Sequence, residues 1–165
     1  MPYPQRGVAT GVLFGNNKGT VQLSPSLEVI KEAAINYGVP HPPIVFDETL
    51  ESWGNQGILM LNSALTCELN KPGSHVMLWR RFIAEFLSRL SCTEAGLTYV
   101  LFGTQAQTFE PYISKRTSNI IKVHHPSYYA RIHERMPAWV FPEINKITKD
   151  NFGTQFKWYD TPINI

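Results

Sequence analysis

The chain has 165 residues, 43% of them hydrophobic and 17% charged, with a formal net charge of +2. That length fits one core rather than two, and that balance excludes a disordered chain while neither demanding nor forbidding a nucleic-acid face. Two cysteines, Cys67 and Cys92, exclude a disulfide framework or a four-thiolate zinc site and point to a reducing compartment. No signal peptide, transit segment or run of 18 apolar residues is visible, so the chain reads as a soluble intracellular protein with no membrane contact.

The first elements follow from local chemistry. The opening MPYPQRGVATGVLFGNN sets a Pro-Tyr-Pro turn ahead of a glycine-bracketed loop and the apolar run Val12-Leu13-Phe14. Ser24-Pro25 opens a helix with proline at its first position, and Leu27, Ile30, Ala34 and Tyr37 recur on one face. Gly38 closes it, and Pro40, Pro42 and Pro43 extend the loop that follows. The run from Gly57 to Asn62 is nearly all apolar, as a strand buried on both faces should be.

Ser74 is expected to cap a second helix carrying Leu78, Phe82, Phe86 and Leu90 as its buried stripe. Leu97 to Gly103 reads as the next strand, with a short helix from Thr104 that Pro111 ends. Asn119 to His124 is a further strand. A last helix is expected between Pro137 and Lys149, broken or offset near Pro142. Alternating strands and helices over residues 1–165 predict a single α/β domain, three-layered αβα around a short parallel sheet.

In such sheets the chemistry collects at the carboxyl ends of the strands. Those ends deliver Asn62, then Gly103-Thr104, then His124-His125-Pro126-Ser127, while the opening turn brings Tyr3 and Phe14. An amide, an imidazole, a phenol and a phenyl ring on one edge suit a planar polar heterocycle. A metal is a poorer fit. His124 and His125 are adjacent and point apart on a strand, and His41, His75 and His133 are scattered, so the residues imply neither a metal nor a cofactor.

The blocks PYPQRGVATGVLFGN, GILMLNSALT, PGSHVMLW, LTYVLFGTQAQ and IIKVHHPSYYA stand in an order and approximate spacing that resemble the uracil-DNA glycosylase family. The resemblance implies a protein that flips uracil out of DNA and hydrolyses its N-glycosidic bond in base-excision repair. It implies that Asn62 reads the Watson–Crick edge of uracil, that Phe14 stacks on the base, and that Tyr3 crowds carbon 5 and excludes thymine. His125 would be the catalytic residue, hydrogen-bonding the uracil O2. Pro25-Ser26, Gly103-Thr104 and Pro126-Ser127 would be three short loops gripping the DNA backbone, and Tyr129 stands where many relatives place a wedging leucine.

The family's water-activating turn reads Gly-Gln-Asp-Pro-Tyr, whereas the sequence begins Met1-Pro2-Tyr3, with methionine at the aspartate position. Pro4 after the tyrosine resembles poxvirus members. The expected consequences are weakened excision and a missing central strand that a second protein chain would supply or cover, or whose gap the remaining strands would close by pairing directly. Asp47, Glu48, Glu51 and Glu68 read as solvated loop acids rather than substitutes for the aspartate. A second function class is therefore a glycosylase-derived DNA- or protein-binding module without chemistry. Either would act in the cytoplasm, at a nucleoid or viral replication site, or in a nucleus.

Overall fold

Ser24 starts the first helix through its own side chain: Oγ accepts from the Leu27 backbone N–H at 3.3 Å. Pro25 follows at the first helical position, and α1 runs over Pro25–Ala34, burying Leu27, Ile30, Ala33 and Ala34. The computed structural model describes residues 11–18, 22–35 and 43–162. The expectations for Met1 to Pro4, Tyr37, Gly38, Pro40, His41 and Pro42 lie outside them. After α1 come α2 (Glu51–Asn55), α3 (Val76–Thr93), β1 (Thr98–Phe102), α4 (Gly103–Gln107), a 3-10 turn (Glu110–Tyr112), β2 (Asn119–Val123), α5 (Pro126–Ile132) and α6 (Val140–Phe152).

β1 and β2 pair in parallel, with Thr98 opposite Asn119 and Phe102 opposite Val123. Their side chains alternate between two cores, as the period of a strand requires. Tyr99 and Leu101 pack with Ile113, Ile120 and the α3 residues Leu87 and Leu90. Val100 and Phe102 face the larger core, built from Phe14, α1, Ile121, Val123, Tyr129 and the α6 residues Val140, Phe141 and Ile144. Helices thus cover both faces of a short parallel sheet. Among the described residues no helix is long and apolar enough to cross a membrane.

Several local expectations are corrected. Residues 58–62 form no strand ladder with the described residues. Their side chains still alternate, Ile58 and Met60 against the larger core and Leu61 against Ile83, Ala84 and Phe109. The apolar pattern is that of a strand, but a ladder needs a neighbour. Ser74 does not cap α3, whose N-cap is His75; its Oγ accepts from the Glu68 N–H at 2.8 Å. The stripe of Leu78, Phe82 and Phe86 faces away from the core, which takes Ile83 and Ala84 instead, because α3 is apolar on two sides and only one meets the sheet.

α4 ends at Gln107, and Pro111 sits inside the 3-10 turn that follows. Pro142 does not break α6; it lies in the first turn, where its missing N–H has no helical partner to lose. Pro126-Ser127, expected as a loop, are the first two residues of helix α5. The chain after α6 folds back: Trp53 Nε1 donates to the Trp158 carbonyl at 3.1 Å, and Val45 bridges Asp160.

Candidate active site

The three expected gripping loops are helix starts. Pro25-Ser26, Gly103-Thr104 and Pro126-Ser127 occupy the first two positions of α1, α4 and α5. The correction has a local cause: proline at a first position and glycine at a strand-to-helix bend favour helix initiation. Backbone N–H groups in a first turn have no partner within the helix.

His125 is the N-cap of α5, and its orientation follows from that position. Its Nδ1 lies 3.2 Å from the Ser127 backbone nitrogen and 2.8 Å from Ser127 Oγ. A backbone N–H can only donate, so Nδ1 accepts, and the neutral ring carries its proton on Nε2. Burial pushes the His125 pKa down from its ordinary value, and the charge of Arg131 pushes the same way. The side chain is thus held as a neutral imidazole whose Nε2–H has no hydrogen-bond partner among the described residues.

Two residues stand close to His125. Gly103 has φ +82°, and a Cβ there would stand 2.8 Å from the His125 Cβ. Phe14 lies edge-on, with ring centroids 5.4 Å apart, and it also meets Phe102 at 5.8 Å. Phe14 is buried and takes φ +67°, a left-handed conformation that costs a phenylalanine about 1–3 kcal/mol. Flanking backbone bonds hold it there, from Gly15 to the Val12 carbonyl at 3.2 Å and from Asn16 to the Glu48 carbonyl at 2.9 Å.

Asn62 ends the extended run 58–62, in register with Ile58 and Met60, which pack against the core containing Phe14. Its Oδ1 is shielded from solvent and has no hydrogen-bond partner among the described residues. A buried acceptor left unmade costs about 1–3 kcal/mol, so it marks a position where a donor is missing. Tyr3 lies outside the described residues.

Tyr129 is corrected outright. It is 7% exposed and belongs to the larger core, so its ring is not presented to DNA. Its neighbour Tyr128 is the exposed one, stacked on His124 with centroids 4.6 Å apart. A helix turns about 100° per residue, and here that turn sends one tyrosine inward and the next outward.

The acidic residues are occupied elsewhere. Asp47 Oδ1 accepts from Thr49 N at 3.0 Å and Thr49 Oγ1 at 2.6 Å, and Oδ2 accepts from Ser52 N at 2.8 Å. Burial works to raise its pKa, but the bonds from Thr49 and Ser52 outweigh it and hold the carboxyl below its ordinary value. Glu48 pairs with Lys31 at 3.5 Å, and Glu68 with Lys71 at 2.6 Å. Sequence reasoning missed two parts of this site: Ser127 as the group that orients His125, and Gly103 as the space His125 needs. The first was readable in principle, because His-Pro-Ser is the pattern of N-cap, first and second helical positions.

The sequence profile of the family described as "Uracil DNA glycosylase superfamily" matches residues 4–149. The chain belongs to this superfamily. Among uracil-DNA glycosylases, that of bovine herpesvirus 1.1 is 37% identical over 131 residues, covering 79% of this chain and 63% of the relative. That of Coxiella burnetii is 31% identical over 159 residues, covering 95% and 68%, and that of varicella-zoster virus 35% over 133 residues, covering 79% and 42%. The crystal structure of mimivirus uracil-DNA glycosylase superposes with a TM-score of 0.77 at 24% identity, covering 92% of this chain and 60% of that one. That likeness shows the uracil-DNA glycosylase fold. The chain spans between 42% and 68% of the length of these curated relatives.

Proposed function

We propose that residues 1–165 form one uracil-DNA glycosylase-like domain that binds uracil extruded from DNA, with His125 assisting cleavage of its glycosidic bond. The observation that carries this reading is the Ser127 N–H held against His125 Nδ1 at 3.2 Å, which leaves Nε2–H as a donor with no partner among the described residues. A base inside a duplex hides its sugar carbon, so the nucleotide must leave the stack, at a cost of a few kcal/mol. The orphaned Oδ1 of Asn62 suits the N3–H of uracil as donor, and its amide N–H suits the O4. Phe14, edge-on to His125 with centroids 5.4 Å apart, is the ring that suits one side of a bound uracil.

As the bond between N1 and the sugar C1′ breaks, its electron pair passes to the uracil, and negative charge develops on O2. The Nε2–H of His125 donates to that oxygen without giving up its proton. Water then bonds to C1′ of the oxocarbenium-like sugar and loses a proton to solvent or base. The first turns at Ser26 and Thr104 offer backbone and hydroxyl groups to phosphates, contacts that position a strand without reading its sequence. The Ser127 N–H and hydroxyl serve His125 and leave the rest of that turn to the DNA. Neither metal nor cofactor has a step here.

A second reading, binding without cleavage, is favoured by the commitment of Asp47, Glu48 and Glu68 to partners away from His125. Residues 58–62 lie outside any ladder of the described residues, which favours a further part of the proposal, that a strand of a second polypeptide pairs beside them. The place of action would be wherever DNA is copied, in cytoplasm, nucleoid, viral replication site or nucleus. The deciding experiment is single-turnover release of uracil from a labelled oligonucleotide, with binding followed by anisotropy. His125→Ala should slow release by about 10²-fold or more while keeping DNA affinity. Binding with no release by the unaltered chain selects the second reading, and neither binding nor release rejects both.

A further inference from the structure

Helix α3 has two apolar faces where a surface helix needs one. The inner face is used. The outer one is open among the described residues: Met77 is 77% exposed, Leu78 74% and Phe82 53%, and Phe82 stacks on Phe86 at 6.3 Å. Scattered exposed apolar residues are ordinary, but a contiguous ridge at i, i+4 and i+8 is a recognition feature.

A groove of about 660 Å³ runs beside this ridge, lined by Met77, Arg80, Arg81, Glu85, Arg89 and Tyr112 among others. It shares no residue with the site around His125. Arg80 is engaged, donating to Thr108 Oγ1 at 3.0 Å and lying over the Phe109 ring. Arg89 meets Glu85 at 2.7 Å in an exposed pair that an incoming carboxylate can exchange with little loss. Arg81 is exposed. The balance is three arginines to one glutamate.

We propose that the outer face of α3 is a docking surface for a second polypeptide that presents an acidic amphipathic helix. The ridge of Leu78, Phe82 and Phe86 accepts an apolar stripe of the same spacing. Arg81 and Arg89, about 12 Å apart along the axis, accept carboxylates two turns apart on the partner's flank. A nucleic-acid backbone fits worse, since the floor is apolar and Glu85 repels phosphate.

The probe is a synthetic helical peptide of about 18 residues, with leucine at every fourth position and flanking glutamates. A scrambled peptide, a version with lysines for glutamates, and a single-stranded oligonucleotide serve as comparisons, with binding read by anisotropy. The acidic amphipathic peptide should bind at least about tenfold tighter than either other peptide, and lose affinity as salt rises. Arg81→Glu and Phe82→Ser should each weaken it about tenfold, with circular dichroism and uracil release unchanged. Equal binding of the three peptides overturns the proposal, as do two neutral substitutions. So does oligonucleotide binding that Arg81→Glu abolishes while the peptide fails to bind. Self-association lost in Phe82→Ser, with no peptide binding, assigns the face to a second copy of the chain and overturns it too.

Discussion

A Cβ at position 103 would lie 2.8 Å from the Cβ of His125, so the residue after β1 decides whether the imidazole at the end of β2 has room. The same position has φ +82°, where an L side chain is strained even in open space. Gly103→Ala therefore meets two penalties. It should lose about 1–3 kcal/mol in urea unfolding and slow uracil release by displacing His125. Unchanged stability and rate together would show that the two residues are not in this contact.

The tautomer of His125 predicts a pH dependence. With Nδ1 accepting from the Ser127 N–H and burial opposing charge, the folded pKa lies below the unfolded value. The unfolded chain then binds more protons, so stability falls as pH drops from the unfolded value, near 6.5, toward the lowered folded one. Uracil release should fall over the lower part of that window. Nitrogen NMR should find the proton on Nε2 at neutral pH, and Ser127→Ala should raise the pKa by removing a hydroxyl donor to the neutral ring. A proton on Nδ1 at neutral pH contradicts the assignment.

Asn62 separates binding from stability. Its Oδ1 is buried with no hydrogen-bond partner among the described residues, so Asn62→Leu removes an acceptor that makes no bond there. Melting should leave stability unchanged or about 1 kcal/mol higher. Uracil binding by calorimetry should be lost, and Asn62→Asp should weaken it because a carboxylate faces the uracil O4 with no donor. Strong destabilisation by Asn62→Leu would mean that the amide is structural.

Asp47 tests the acids. Its carboxylate accepts from Ser52, the second residue of α2, although Leu50 holds the N-cap position with φ +58°. Asp47→Ala should cost about 1–2 kcal/mol, the usual worth of such a cap. Its lowered pKa makes this contribution present above the unfolded value and lost as pH falls through the folded one. Uracil release, compared at equal folded fraction, should not change. A large loss of rate would make Asp47 the carboxylate of the reaction.

The adjacent tyrosines should behave oppositely. Tyr129→Ala empties a core position and should cost about 3–5 kcal/mol in chemical unfolding. Tyr128→Ala, on the exposed side, should cost little stability. Comparable losses would place both rings in the core.

Local chemistry in the sequence determined where α1, β1 and β2 lie. A serine before a proline sets its own cap, and the short apolar runs at 98–102 and 119–123 find each other as parallel strands. The residues brought to the strand ends were also legible, because strand direction fixes which end meets the next helix; Phe14 and His125 do meet. What the sequence left open are choices between equivalent local solutions. Residues 58–62 have the pattern of a strand, but a ladder depends on which segment lies alongside. Both apolar stripes of α3 obey the same period, and only packing against Phe109 and the sheet selected Ile83 over Phe82. Tyr128 and Tyr129 differ by one step around a helix, and the larger core took the second. The tertiary structure decided these because burial is a relation between distant segments, and no window of adjacent residues contains it.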